Sequence, residues 1–197
     1  GDCFLNKCII GRTVSIGSIY AVRLVEELIK RNCEIYLVAT DNGKKVFEYE
    51  LKYQFNDWVD NLNSKNNRIK ICNINDMFFS IASGSFKTDG MIILPCSMAT
   101  IAKLAAGIAD NLLIRAGDVM LKEKRKLILV PRETPLSTIH LKNMLTLSEL
   151  NVTIIPPMPA FYNHPNSIED IVNGTVGRIL ESLEIDNNLY YKWKGNK

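Results

Sequence analysis

The pair Arg132 and Glu133 is the sharpest chemical feature of this sequence. It sits in Val130-Pro-Arg-Glu-Thr-Pro135, directly after the apolar run Lys126–Pro131. Proline fixes its own φ, so a charged turn between two prolines is stiff. A stiff turn suits a guanidinium that grips a phosphate and a carboxylate that takes a proton. A solvated surface turn is the competing reading. Three further loops follow apolar runs: Gly11–Gly17, Thr40–Lys44 and Pro95–Thr100. The first, Gly11-Arg-Thr-Val-Ser-Ile-Gly17, puts small residues before a helix, where backbone N–H groups can hold a phosphate. It is not the dinucleotide fingerprint G-x-G-x-x-G, and a tight turn without ligand explains it equally well. Pro95-Cys-Ser-Met-Ala-Thr100 places two hydroxyls at a strand-to-helix junction. Helix capping by Ser97 explains that pattern more simply than a ligand does.

Other reactive residue types read as structural. Cys96 has no nearby histidine in sequence and reads as a small buried residue. His140 and His164 are the only histidines and have no ligand-spaced partner, so no metal site is expected. His140 opens a helix. Asp118, Lys122, Glu123, Lys124 and Arg125 form a charge run whose default reading is a solvated helix face.

The elements that must position these loops alternate regularly. Strands are expected at Lys7–Ile10, Cys33–Ala39, Ile69–Ile74, Gly90–Pro95, Lys126–Pro131 and Val152–Pro156. Helices are expected at Ser18–Arg31, Lys44–Tyr53, Ala99–Ile114, His140–Leu150 and Ile168–Leu183. Asn56–Asn67 is polar and Asn-rich, and reads as a surface excursion. The alternation predicts an α/β class: one doubly wound, Rossmann-like (flavodoxin-like) domain over residues 1–197 with a six-stranded, mainly parallel sheet. In such sheets ligands sit beyond the carboxyl ends of the strands, where all four loops lie.

Composition narrows the function classes. A chain of 197 residues with 47% hydrophobic and 23% charged residues is an ordinary globular protein. A net charge of +3 without a Lys/Arg block argues against nucleic acid as partner. The five cysteines, Cys3, Cys8, Cys33, Cys72 and Cys96, form no C-x-x-C pair. Neither a disulfide framework nor a zinc site follows, and a reducing cytoplasm is the expected compartment. No apolar run reaches membrane-spanning length, and Gly1–Lys7 lacks a signal-peptide core.

Four stretches resemble the UbiX-type flavin prenyltransferases. They are ASGSF (Ala82–Phe86) before GMIILPCSMAT (Gly90–Thr100), then GIADNLLIRAGDVMLKEKRKLILVPRETPLSTIHLKNM (Gly107–Met144), then PPMPAFYNHP (Pro156–Pro165). PRETP and PAFY are specific. PCSM and ADNL are shared with a wider flavoprotein group that includes cysteine decarboxylases, whose clamp motif PMN-x-x-M this sequence lacks. The resemblance implies transfer of a dimethylallyl unit from dimethylallyl phosphate to N5 and C6 of reduced FMN. The product, prenylated FMN, serves a UbiD-type decarboxylase. It also implies a metal-free homododecamer with sites at subunit junctions. By the same resemblance, Thr40, Ser97, Met98, Ala99, Thr100 and Arg132 contact FMN, together with the loop Thr13, Val14, Ser15, Ile16 and Gly17. Tyr162 and Arg178 hold the allylic phosphate. Lys122 and Arg115 are further phosphate-binding cations, Lys122 reaching a neighbouring subunit. Glu50 and Glu133 are acids near the flavin, and Trp193 is the aromatic near the prenyl group.

The loop departs from the family pattern G-x-T-G-A-S-G-A-I-Y. Here Val14 replaces a glycine that lets the backbone approach FMN, and Ile16 replaces a serine of the proton relay at N5. A serine stands one place earlier, at Ser15. Val and Ile disfavour positive φ, and Ile16 has no hydrogen-bonding side chain. Three readings stand side by side: an active loop with Ser15 as substitute, a carrier paralogue that binds FMN or prenyl-FMN with lost or weakened catalysis, and an engineered loop.

Overall fold

The structure is a computed structural model that describes residues 6–192. Six strands form one sheet in the order β3-β2-β1-β4-β5-β6. They are β1 (Lys7–Arg12), β2 (Glu34–Ala39), β3 (Ile69–Cys72), β4 (Gly90–Cys96), β5 (Leu127–Pro131) and β6 (Thr153–Ile154). Every neighbouring pair is parallel. The helices are α1 (Ser18–Lys30), α2 (Asp41–Leu51), α3 (Phe55–Asn66), α4 (Met98–Ala106), α5 (Leu112–Lys122), α6 (Thr138–Glu149) and α7 (Ile168–Ser182). A 3₁₀ turn at Ser80–Ala82 precedes β4.

A parallel sheet is covered on both faces, so its strands read as unbroken apolar runs. β4, GMIILPC, is buried along its whole length. Alternate side chains then feed two cores. Cys8, Ile10 and Ile92 pack with Leu24 and Leu28 of α1 and Val176 and Leu180 of α7. Ile9, Met91 and Ile93 pack with Ile101 of α4 and Leu113 and Met120 of α5.

Three expectations are corrected. Asn56–Asn67 is not a surface excursion but most of α3. Phe55, Trp58 and Val59 have helical spacing and are buried, and Phe47 of α2 meets the Phe55 and Trp58 rings at 5.3 and 5.1 Å. Asn56, Asn61 and Asn66 are exposed, while the half-buried Asn63 side chain bonds the Ile69 N–H and carbonyl of β3 at 2.9 and 2.8 Å. Ala99–Ile114 is not one helix. Gly107 ends α4 at φ 71, and the Asn111 side chain restarts the chain as α5 by accepting from the Ile114 N–H at 2.9 Å. The sixth strand shrinks to two residues because β6 is an edge with one neighbour. Among the described residues, no helix is long and apolar enough to cross a membrane.

Candidate functional site

The chain reverses its order in the sheet between β1 and β4, and a crevice opens at such a switch point. Thr13, the first residue beyond β1, closes the bottom of this crevice and is 2% exposed. Its N–H and hydroxyl both donate to the Pro95 carbonyl, at 3.2 and 3.0 Å. Its hydroxyl oxygen accepts from the Ser97 N–H at 2.7 Å. One side chain thus ties the end of β1 to the end of β4.

Above Thr13 lies a cavity of about 340 Å³ lined by the hydroxyl residues Thr13, Thr40, Ser97 and Thr100, with Val14 and Ala99. Thr40 caps α2 by accepting from the Gly43 N–H at 2.9 Å, and Ser97 caps α4 by accepting from the Thr100 N–H at 3.2 Å. Capping therefore describes Ser97 correctly, yet it does not exclude a ligand. The caps bring two helix N-termini, with their partial positive charge, to the cavity wall. Hydroxyls and helix ends are the donor set that a phosphate ester and a ribityl chain require. Sequence reading missed Lys103, which lines the same cavity and pairs with Asp110 at 2.7 Å.

The loop over the crevice is unstrained. Positive φ within it occurs only at Gly17, at 122°, so Val14 and Ile16 occupy ordinary backbone conformations. Their side chains are 50% and 57% exposed. Ser15 turns inward, and its hydroxyl donates to the Arg132 carbonyl at 3.4 Å, joining the β1 and β5 loops.

Glu50, near the end of α2, reaches across to α1. One carboxylate oxygen accepts from the Gly17 N–H at 2.9 Å, and the other from the Ser18 N–H at 2.8 Å and from the Ser18 hydroxyl. Glu50 thus serves as the cap that α1 lacks locally. Beneath it lies Arg12, buried and not flagged by the sequence reading. Burial pushes its pKa down to about 10, against the opposing field of Glu50, so the guanidinium stays charged at neutral pH. A charged residue closing an otherwise apolar strand was the available signal.

A second cavity, of about 230 Å³, lies beyond β6 and brings Tyr162 and Arg178 together with Asn163, Asp170 and Tyr190. Arg178 Nη1 donates to Glu181 at 2.6 Å, and the Tyr190 hydroxyl donates to the same carboxylate at 2.8 Å. Lys192 also pairs with Glu181, at 2.9 Å. The Tyr190 hydroxyl and then Glu181 push the Arg178 pKa up. The Asn187 side chain donates to the Gly177 carbonyl at 3.1 Å, which folds the C-terminal segment back along α7.

Arg132 and Glu133 follow β5, so they stand between the two cavities along the carboxyl edge of the sheet. Both are exposed, and Glu133 accepts from the Thr134 N–H at 3.0 Å. Several expected residues lie elsewhere. The Met98 side chain belongs to the core under α4. Arg115 and Lys122 lie on α5, beside their own Asp118 and Glu123, and line neither cavity within one chain. Trp193 lies outside the described residues. Burial pushes the Cys96 thiol up, which removes it as a thiolate nucleophile. His140 completes a capping box with Ser137, as a structural histidine would. Among the described residues, no group of three or more His, Cys, Asp or Glu could hold a metal ion.

The Flavoprotein family model matches residues 5–180. The chain is 46% identical over 193 residues to flavin prenyltransferase LpdB of Lactiplantibacillus plantarum, covering 98% of this chain and all of that protein. Its fold matches AnUbiX (PadA1), solved in complex with FMN and dimethylallyl pyrophosphate. The TM-score is 0.89 at 38% identity, over 98% of this chain and 100% of that one. It matches equally a dodecameric FMN-dependent Ubix-like decarboxylase from Escherichia coli O157:H7, with TM-score 0.88 and 45% identity, over 96% of this chain and 100% of that one. Full-length identity at this level, with the hydroxyl-lined crevice and the Arg178 cavity at one sheet edge, leaves no other assignment: the chain belongs to the Flavoprotein family and, within it, to the UbiX-type flavin prenyltransferases.

Proposed function

We propose that this chain, as one flavoprotein domain, transfers a dimethylallyl group from dimethylallyl phosphate to N5 and C6 of reduced FMN. One observation carries the reading. A hydroxyl-lined crevice at the switch point and an arginine-tyrosine cavity beyond β6 flank Arg132 and Glu133 along one edge of the sheet.

Thr13, Thr40, Ser97 and Thr100 hold FMN, with Val14 to Gly17, Ala99, Arg132 and the backbone of Met98 completing its surround. Bound reduced FMN supplies the two nucleophilic atoms. Arg178 and Tyr162 hold the phosphate, and their charge and hydroxyl stabilise it as the allylic C–O bond breaks. Trp193 offers a π-face to the cationic prenyl fragment. Glu133 is the proton acceptor of the transfer, and its exposed carboxylate is free to turn toward the ring. Glu50 belongs to the same machinery by holding the loop. Arg115 and Lys122 present their cations outward on α5 and contribute to a neighbouring subunit's phosphate site. The assembly is a homododecamer in the cytoplasm, and a UbiD-type decarboxylase receives the product.

Anaerobic incubation with reduced FMN and dimethylallyl phosphate should yield a flavin heavier by the prenyl mass. Bound FMN without that product would refute the reading. The carrier reading is favoured by one observation: the Ser15 hydroxyl is turned to the Arg132 carbonyl, so no loop hydroxyl stands free at the place of Ile16. On that reading Val14→Gly combined with Ile16→Ser creates activity absent from the unmodified chain.

A further inference from the structure

We infer that Arg12 is a positioning residue for the flavin loop: with Ser18 it locks Glu50 against the start of α1 and so fixes Thr13–Gly17 over the switch-point crevice. This rests on the reading that the crevice takes FMN.

The Arg12 side chain is 1% exposed and joins three elements. Its Nε donates to the Gly43 carbonyl of α2 at 3.0 Å, and its Nη2 donates to the Ser18 hydroxyl of α1 at 2.6 Å. The guanidinium carbon lies 5.5 Å from the centre of the Phe47 ring. A guanidinium is planar, so these contacts set its orientation completely. Ser18 Oγ uses a lone pair for Arg12, and its own proton then goes to Glu50. Glu50 in turn takes the Gly17 and Ser18 N–H groups. The loop therefore leaves β1 from Arg12 and enters α1 at Gly17, and both ends are pinned to one network that runs from buried Arg12 through Ser18 to the half-buried Glu50.

Stability alone does not explain such a cation. Burying a cation costs several kcal/mol of desolvation, the acceptors here are a neutral carbonyl and a hydroxyl, and apolar replacement of buried ionic groups is often as stable. Arg12 Nη1 even lacks a protein partner among the described residues. What the relay supplies is geometry. Gly17 at φ 122° is the most deformable joint of the loop, and Glu50 holds it by the backbone N–H. A loop already held in place does not lose further entropy when a ligand binds.

The test is FMN affinity, read by quenching of flavin fluorescence well below the melting temperature, for Arg12→Met, Ser18→Ala and the double variant. Each single change should weaken FMN binding by about tenfold, and the double variant by much less than the product, since both act through Glu50. A purely structural role would lower the melting temperature and leave the affinity of the folded protein unchanged. Should Arg12→Met fail to fold, Ser18→Ala, nearly isosteric, decides alone. Affinities within twofold of the unmodified chain, or factors that multiply, overturn the inference. An unmodified chain that does not bind FMN overturns both this and the proposed function. FMN binding without prenyl transfer overturns only the activity and leaves the clamp standing.

Discussion

Gly43→Ala sets helix propensity against close packing, and the structure says which wins. Gly43 is the third residue of α2, and alanine inside a helix is better than glycine by at most about 1 kcal/mol. A Cβ there would lie 2.9 Å from Thr40 Oγ1 and 3.1 Å from each of the Arg12 and Thr13 carbonyl oxygens. Two of the three obstacles are backbone, which cannot rotate aside. The third is the cap that Gly43 itself donates to. The first turn of α2 must therefore back away by a few tenths of an ångström, stretching the Arg12 Nε bond to the Gly43 carbonyl. Overpacking of this kind costs about 1–3 kcal/mol. Set against the helix gain, the net loss is up to about 2 kcal/mol, or a melting temperature lower by up to about 8 °C for a domain of this size. Thr13 and Thr40 line the crevice, so FMN affinity should fall about fivefold or more in the same variant. Thermal melting and flavin titration check the two effects separately. A variant that melts at or above the parent temperature and binds FMN equally would refute the steric reasoning.

Three further outcomes follow from other contacts. Thr13→Val removes the hydroxyl that bridges Pro95 and Ser97 and leaves the Ser97 N–H without that acceptor, so denaturant unfolding should show a loss of about 1–3 kcal/mol. Glu27 is pushed up by burial, but hydrogen bonds from Arg31, Arg23 and Lys30 hold its pKa down at about 2, below the ordinary 4.5. Its folded pKa is thus depressed, so its stabilisation, on the order of 2 kcal/mol, is complete above pH 4.5 and is lost as pH falls toward 2. Glu27→Gln should flatten that acid limb of the unfolding midpoint, and an unchanged limb would contradict the assignment. Gly177→Ala would place a Cβ 2.5 Å from the Tyr190 ring, dislodging the residue that shares Glu181 with Arg178. The KM for dimethylallyl phosphate should rise by about fivefold with FMN affinity unchanged, and a parallel loss of FMN binding would place the effect elsewhere.

The class of fold is legible in the sequence, and so are the strand-end loops where such a sheet opens a crevice. Short continuous apolar runs such as GMIILP and KLILVP suit strands covered on both faces, and their alternation with helical segments points to a parallel sheet. The loops after the strands were then the candidate site, and the hydroxyl-lined cavity lies at three of them, whereas the Tyr162–Arg178 cavity lies beyond β6, outside all four. Element ends were less legible. The polar composition of Asn56–Asn67 hid a helix whose few buried residues find their partner, Phe47, in the preceding helix. The break between α4 and α5 depends on a left-handed glycine and an asparagine cap, which an apolar run on both sides obscured. Only tertiary structure decided that Val14 and Ile16 sit in the loop without strain, because φ is set by the anchors on either side and not by the residues themselves. The link between those anchors is invisible in the sequence. Ser18 and Glu50 are 32 residues apart, and no periodicity links them to each other or to Arg12. A charge can hold neighbouring elements in place only when the fold removes it from water and brings acceptors from those elements to it, as Gly43 and Ser18 are brought to Arg12, and that is a property of packing.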